Sequence, residues 1–152
     1  MKTKRWLRLT MIAIGTAIGL AATGAVIGHA VMSRVHPMPP ESEFGFGPRL
    51  SATGQYVVRI ERAQPFRTGA LLTTRIRVTA PNGEPIDGAA ITVDGGMPQH
   101  GHGLPTKPRV TRGLGDGRYE IGGLKFNMGG WWVLKFGFGG SPADSVTFNL
   151  SL

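Results

Sequence analysis

The sequence contains no cysteine among its 152 residues. This absence excludes disulfide bridges, thiolate metal sites and cysteine nucleophiles together. It does not identify the compartment, because an exported domain with a sufficient core can do without bridges. Several catalytic motifs are also missing, since the chain has no G-x-S-x-G, no H-E-x-x-H and no lysine-containing phosphate loop. We therefore expect that the protein is not an enzyme.

Charge is missing from one long stretch near the N terminus. Residues 9–32 contain no Asp, Glu, Lys or Arg over 24 residues, and a helix of roughly 20 apolar residues spans a bilayer core. Four basic residues lie within residues 1–8, whereas only Arg34 follows the stretch closely. The positive-inside rule therefore predicts a cytoplasmic N terminus and a domain on the periplasmic or extracellular side of the cell membrane.

Two interpretations of residues 9–32 stay open. Gly28-His29-Ala30 resembles a signal-peptidase cleavage site. The apolar run is longer than the usual signal-peptide core of about 7–15 residues, which favours an uncleaved single-pass anchor. On this interpretation the lipid bilayer is one partner of the chain, through its N-terminal helix.

The excess of basic residues lies largely outside the exported part. Five of the 17 basic residues and none of the 9 acidic residues fall in residues 1–34, so residues 35–152 carry twelve basic against nine acidic side chains, a formal charge of +3. These basic residues are scattered singly along the predicted strands, without an aromatic-interleaved run. The pattern is typical of an ordinary surface and predicts no nucleic-acid partner.

Residues 33–51 contain four prolines and two Phe-Gly pairs, a composition that favours a semi-extended tether. From residue 52 to the C terminus no amphipathic helical pattern occurs. The predicted organisation is a cytoplasmic basic segment (1–8), a transmembrane anchor or uncleaved signal (9–32), the tether (33–51) and one exported domain (52–152).

Period-2 alternation of apolar and polar residues dominates this domain and predicts about seven short strands separated by Gly/Pro turns. Such a pattern indicates an all-β fold, an immunoglobulin-like antiparallel β-sandwich, with a β-barrel as the alternative. The predicted strands cover these segments: 55–62, 70–79, 89–93, 108–111, 118–121, 131–138 and 145–152.

One loop between the predicted strands has the composition of a metal site. The run G-G-M-P-Q-H-G-H-G from Gly95 to Gly103 brings one thioether and two imidazoles within six residues, at Met97, His100 and His102. In an extended segment the two histidines face the same side and can reach one ion. Pro98 biases Met97 toward an extended conformation, so we expect Met97 to be presented by the loop and not buried in a regular element.

A second glycine-rich turn contributes a further candidate, Met128, just before the pair Trp131-Trp132. Thioethers and imidazoles without thiolates suit copper better than zinc, which more often brings thiolates or a carboxylate. Taken singly, each histidine is also consistent with a solvated turn and each methionine with core filling. The cluster as a whole favours metal binding.

The two motifs together resemble a known family. The run M-P-Q-H-G-H-G-L-P from Met97 to Pro105, followed by G-L-K-F-N-M-G-G-W-W up to Trp132, resembles the FixH/YtkA-like family of membrane-anchored exported domains, which are similar in architecture to CopC-like copper carriers. The resemblance covers roughly residues 52–152. It implies a ligand set of Met97, His100, His102 and Met128, and an association with copper handling or cytochrome oxidase assembly.

Two hypotheses of different classes follow. The first is a membrane-tethered exported domain that holds copper or delivers it to a membrane protein partner, an oxidase or a copper transporter. The alternative is a non-metal interaction module, in which the glycine-rich loops and the pair Trp131-Trp132 form a contact surface for a membrane complex.

Overall fold

The alternating segments form strands in the computed structural model, which describes residues 36–61, 65–139 and 143–152. These residues contain nine β-strands and no α-helix. In chain order the strands are β1 (Arg49–Leu50), β2 (Val57–Glu61), β3 (Leu71–Thr79), β4 (Ile91–Met97), β5 (His102–Gly103), β6 (Arg109–Gly115), β7 (Arg118–Lys125), β8 (Trp131–Phe138) and β9 (Asp144–Ser151).

The predicted anchor at residues 9–32 lies outside the described residues. Within the part of the chain that the structure describes, no helix is both long and apolar enough to cross a membrane. The only helical element there is one 3₁₀ turn at Glu41–Glu43, in the predicted tether.

The strands pair into two antiparallel sheets with the orders β1-β2-β3-β7-β6 and β5-β4-β8-β9. The predicted all-β antiparallel sandwich is therefore confirmed, and the barrel alternative is wrong. The expected number of about seven strands is too low, because β1 and β5 are two-residue strands without an alternating pattern. When β1 and β5 are left out, the strand orders are β2-β3-β7-β6 and β4-β8-β9. These orders correspond to the ABED and CFG sheets of constant-type immunoglobulin domains.

Apolar side chains from the inner faces of both sheets fill the space between the sheets. The largest fully buried side chains are Trp132 and Phe136 of β8, Phe148 of β9, and Phe126, which directly follows β7. Each fully buried Phe or Leu stabilises the fold by about 1.5–3 kcal/mol relative to an exposed one. The fully buried examples include Ile76, Ile121, Leu124, Phe126, Trp132, Leu134, Phe136 and Phe148.

A buried carboxylate ties the start of β9 to the loop after β1. Asp144 accepts hydrogen bonds from the backbone N–H and the hydroxyl of Thr53, at 3.0 and 2.6 Å, and from the backbone N–H of Ser145. Burial by itself raises the pKa of Asp144, but these bonds and one from Ser51 outweigh burial and hold the pKa well below its ordinary value. Asp144 is therefore ionised in the folded domain at neutral pH.

Candidate metal centre

The predicted metal loop is the turn of a β-hairpin at one end of the sandwich. Strand β4 ends at Met97 and β5 begins at His102, and these two residues are cross-strand partners. The backbone N–H groups of His100 and Gly101 both donate to the carbonyl of Met97, at 3.1 and 2.9 Å, and Gly101 has a φ of +66° that glycine adopts readily. His100 therefore lies in a tight turn and His102 at the start of β5, and the two do not lie, as we expected, along one extended segment.

Gly96 allows the hairpin to close. An ideal Cβ at this position would overlap the carbonyl oxygen of His102, and it would lie only 3.0 Å from the Cα atom of Gly103. Since no side chain fits there, glycine is needed for β5 to approach β4. Cross-strand partners project their side chains to the same face of a sheet, so the hairpin brings His102 and Met97 to one face.

The two imidazoles are close enough to share an ion. The ring centroids of His100 and His102 are 5.9 Å apart, and the ring planes are inclined by 34°. With metal–nitrogen bonds of about 2.0–2.1 Å, two rings on opposite sides of one ion have centres up to roughly 6.4 Å apart. The observed separation is within this limit.

The backbone supports one tautomer of His102. Its Nδ1 atom lies 3.3 Å from the carbonyl oxygen of Gly103, and a carbonyl oxygen only accepts hydrogen bonds. Nδ1–H is then the donor, which leaves Nε2 with its lone pair free for a metal. Both histidine side chains are exposed, so solvent and partner molecules reach them.

Met97 does not lie where we expected it. Its side chain is only 2% exposed and belongs to the hydrophobic core, so the prediction of a residue presented outside any regular element is wrong. Inward-facing residues alternate along β4 from Ile91 through Val93 and Gly95 to Met97. This alternation continues through the two glycines, and it directs the thioether into the end of the core beneath the hairpin.

The second glycine-rich turn meets the same end of the sandwich through Trp132. The ring of Trp132 lies 5.8 Å from the ring of His102 in an edge-on arrangement, and its Nε1–H donates to the carbonyl of Met128 at 3.0 Å. The methyl group of Met97 comes within 3.1 Å of an ideal Cβ at Gly130. Two side chains of the core thus touch both the histidine hairpin and the Met128 turn.

Three of the sequence-predicted residues lie on one hairpin, and the fourth, Met128, is related to them only through Trp132. Met97 is paired with His102, and His102 faces His100. Met128 is 44% exposed, and its main chain is fixed by the indole of Trp132. Sequence reasoning missed this role of Trp132, although its position four residues after Met128 could have indicated it.

The tryptophan pair itself is not a surface. Trp132 is fully buried, and Trp131 is 7% exposed. Trp131 faces the opposite side of the sheet, where its Nε1–H donates to Asn149 at 3.0 Å and the segment around Phe44 covers it, since Phe44 forms a bridge with Asn149. The two tryptophans therefore do not provide the exposed part of the contact surface in the alternative hypothesis, while its glycine-rich loops stay a prediction.

A third methionine lies near this end. Met38, in the predicted tether, is 57% exposed and lines a groove of about 440 Å³ together with Gly130 and Trp131. By contrast, within residues 36–61, 65–139 and 143–152 no three His, Asp or Glu side chains gather into a cluster that could hold an ion.

These features define a class: a two-sheet antiparallel β-domain with a histidine–methionine cluster at one end. The family whose sequence model is described as YtkA-like matches residues 51–137, which is more than half of the chain. The chain belongs to the YtkA-like family, as the sequence motifs indicated. Searches against curated proteins and against solved structures gave no significant match.

Proposed function

We propose that this protein is a membrane-tethered, exported, immunoglobulin-like domain that binds copper and holds or delivers it. The observation that carries the proposal is the pairing of Met97 with His102 across the hairpin, with the His100 ring 5.9 Å from that of His102. One thioether and two imidazoles thereby lie on the same β-hairpin, at one end of the domain.

The chemistry of these donors favours copper. Thioether sulfur is a soft ligand that selects Cu(I), whereas imidazole suits several transition metals. A site with two imidazoles and the sulfurs of Met97 and Met128 would bind the reduced ion in preference to hard cations, which require oxygen ligands. Copper is the cargo of this site, and no catalytic step is assigned to it.

The four proposed ligands differ in solvent exposure, and this difference suggests how the ion is released. Met97 is held rigidly by the core, whereas His100, His102 and Met128 are exposed. A partner can therefore replace the exposed ligands one after another while Met97 keeps the ion in place. Such stepwise exchange suits a protein that delivers copper, and it does not require the sandwich to open.

The remaining parts of the proposal concern its setting. Residues 9–32 anchor the chain in the cell membrane with a cytoplasmic N terminus, and the domain lies on the periplasmic or extracellular side. The receiving partner is a membrane protein that uses or transports copper, an oxidase or a transporter. Both statements rest on the sequence pattern and on the family resemblance.

A copper titration tests the central proposal. The purified full chain is titrated with Cu(I) in competition with a chromogenic chelator, and separately with Cu(II) and Zn(II). We expect a single Cu(I) site that the double variant His100→Ala/His102→Ala loses. His36→Ala is the matched control, because His36 is also exposed but lies outside the hairpin. Equal binding by the double variant and by the control would refute the proposal.

A further inference from the structure

The basic residues that are scattered along the sequence gather on one face of the sandwich. In β2 and β3 the buried residues alternate with Arg59, Arg75 and Arg77, which therefore share the outer face of the five-stranded sheet. The register places Arg118 opposite Arg77, and Arg112 opposite Glu120. Arg109, opposite Gly122, extends the same face to the edge strand β6. We call this surface the basic face.

The basic face concentrates the positive charge of the domain. It holds these six arginines and Lys125 against three acids, Glu61, Asp116 and Glu120, a formal charge of +4. The other described residues carry four basic and six acidic side chains, a formal charge of −2. The near-neutral average of the domain thus conceals one strongly positive side.

The ion pairs within the face leave some arginines uncompensated. Arg59, Arg77 and Arg118 stand in one row across three neighbouring strands, and like charges directly opposite each other are destabilising. Asp116 pairs with both Arg77 and Arg118, at 3.0 and 2.6 Å. Among the described residues no acid lies within ion-pair distance of Arg59. Arg118 also pairs with Glu61 at 3.3 Å. Arg59 is thus the member of the row whose positive charge is left for an external anionic partner.

Two exposed leucines on the same face indicate which kind of anion it is. Leu71 is 70% exposed and is paired with Lys125 at one end of the face, and Leu50 is 60% exposed and is paired with Val57 at the other. A basic surface with exposed apolar residues is typical of binding at the boundary between lipid headgroups and acyl chains. An acidic protein would use the charges but would not need leucines at both ends.

We propose that the basic face docks on the surface of a bilayer that contains anionic phospholipids. The planar guanidinium groups donate paired hydrogen bonds to lipid phosphates, while Leu50 and Leu71 enter the headgroup region. This contact is separate from the predicted helical anchor, and it does not depend on the copper proposal.

The absence of native cysteine allows a site-specific test on the full chain. Thr73→Cys places an environment-sensitive fluorophore on the basic face, and Thr92→Cys places it on the outer face of the other sheet; both positions are exposed. Each labelled chain is reconstituted into vesicles of phosphatidylcholine alone or with phosphatidylglycerol. We expect a blue shift at position 73 only with phosphatidylglycerol, reversed by 1 M salt, and no shift at position 92.

Charge variants in the Thr73→Cys background complete the test. Arg59→Gln/Arg75→Gln should lower the docking equilibrium constant about 30-fold, since each arginine near an anionic surface contributes about fivefold. Lys135→Gln removes a positive charge from the outer face of the other sheet, where Lys135 is exposed, and should change little. Circular dichroism melting shows that each variant is folded.

Three outcomes would overturn the docking proposal. The first is an equal shift in both kinds of vesicle, or none in either. The second is an equal loss in the two charge variants. The third is the same shift when soluble polyglutamate is added to neutral vesicles, which would make an acidic polypeptide the partner.

Discussion

Replacing Met97 by leucine separates the two roles that the structure gives this residue. Met97 is 2% exposed and belongs to the hydrophobic core, but it is also the cross-strand partner of His102 in the proposed site. Leucine is a similar-sized apolar residue that has no sulfur. The substitution therefore tests the ligand while the core stays filled.

The expected magnitudes differ for the two roles. Volume-conserving exchanges in a core usually cost less than about 1.5 kcal/mol in the free energy of unfolding, whereas Met97→Ala should cost about 2–5 kcal/mol because it leaves a cavity. If the sulfur is a ligand, Met97→Leu should weaken Cu(I) binding by more than the 10–100-fold that follows loss of an outer-shell partner. Affinity and stability should then change independently.

Urea unfolding and chelator competition on the same preparations measure the two quantities. Met128→Leu is the matched control, since Met128 is 44% exposed and its replacement should reduce the affinity for Cu(I) with almost no change in stability. Unchanged Cu(I) affinity in a well-folded Met97→Leu variant would refute the ligand role. Met97 would then be a core residue alone, and the site would reduce to the exposed residues His100, His102 and Met128.

Two further predictions concern Trp132 and Asp144. Trp132→Phe removes the N–H donor to the Met128 carbonyl, so Met128→Leu should weaken Cu(I) binding less in that background than in the wild type. Trp131→Phe is the control, because it loses an indole hydrogen bond of 3.0 Å to Asn149, worth about 1 kcal/mol, and should leave the effect of Met128→Leu unchanged. If Met128→Leu weakens Cu(I) binding equally in the wild type and in both tryptophan variants, Trp132 does not position Met128. The pKa of Asp144 is lower in the folded than in the unfolded chain, where it is near 3.8, so its stabilising contribution is complete above that pH and is lost as the pH falls below it. The melting temperature of Asp144→Asn should therefore depend less on pH between 5 and 2 than that of the wild type, and parallel curves would contradict the assignment.

Much of the fold could be predicted because the alternation of side chains is local. The segment 131–138 has large apolar residues at alternate positions from Trp132 to Phe138, and β8 has those bounds as predicted. The third predicted strand ended at Val93, but β4 continues to Met97. Gly95 and Gly96 carry no apolar signal, and they are glycines because the backbones of β8 and β5 leave no room for a Cβ. Because the predicted strand stopped before these glycines, the sequence pattern did not indicate that Met97 is buried.

The basic face shows why a linear search for charged runs missed a clustered surface. Arg75 and Arg77 are separated by one residue, and Arg59 and Arg118 are distant in sequence, so no window contains a basic run. In a sheet, residues two apart share a face, and the pairing register aligns them with neighbouring strands. Both the period and the register are needed to find the row from Arg59 through Arg77 to Arg118. The register depends on contacts between distant parts of the chain and cannot be read from a local pattern. The alternation was therefore sufficient to predict the β-sandwich, whereas the basic face could be identified only from the folded structure.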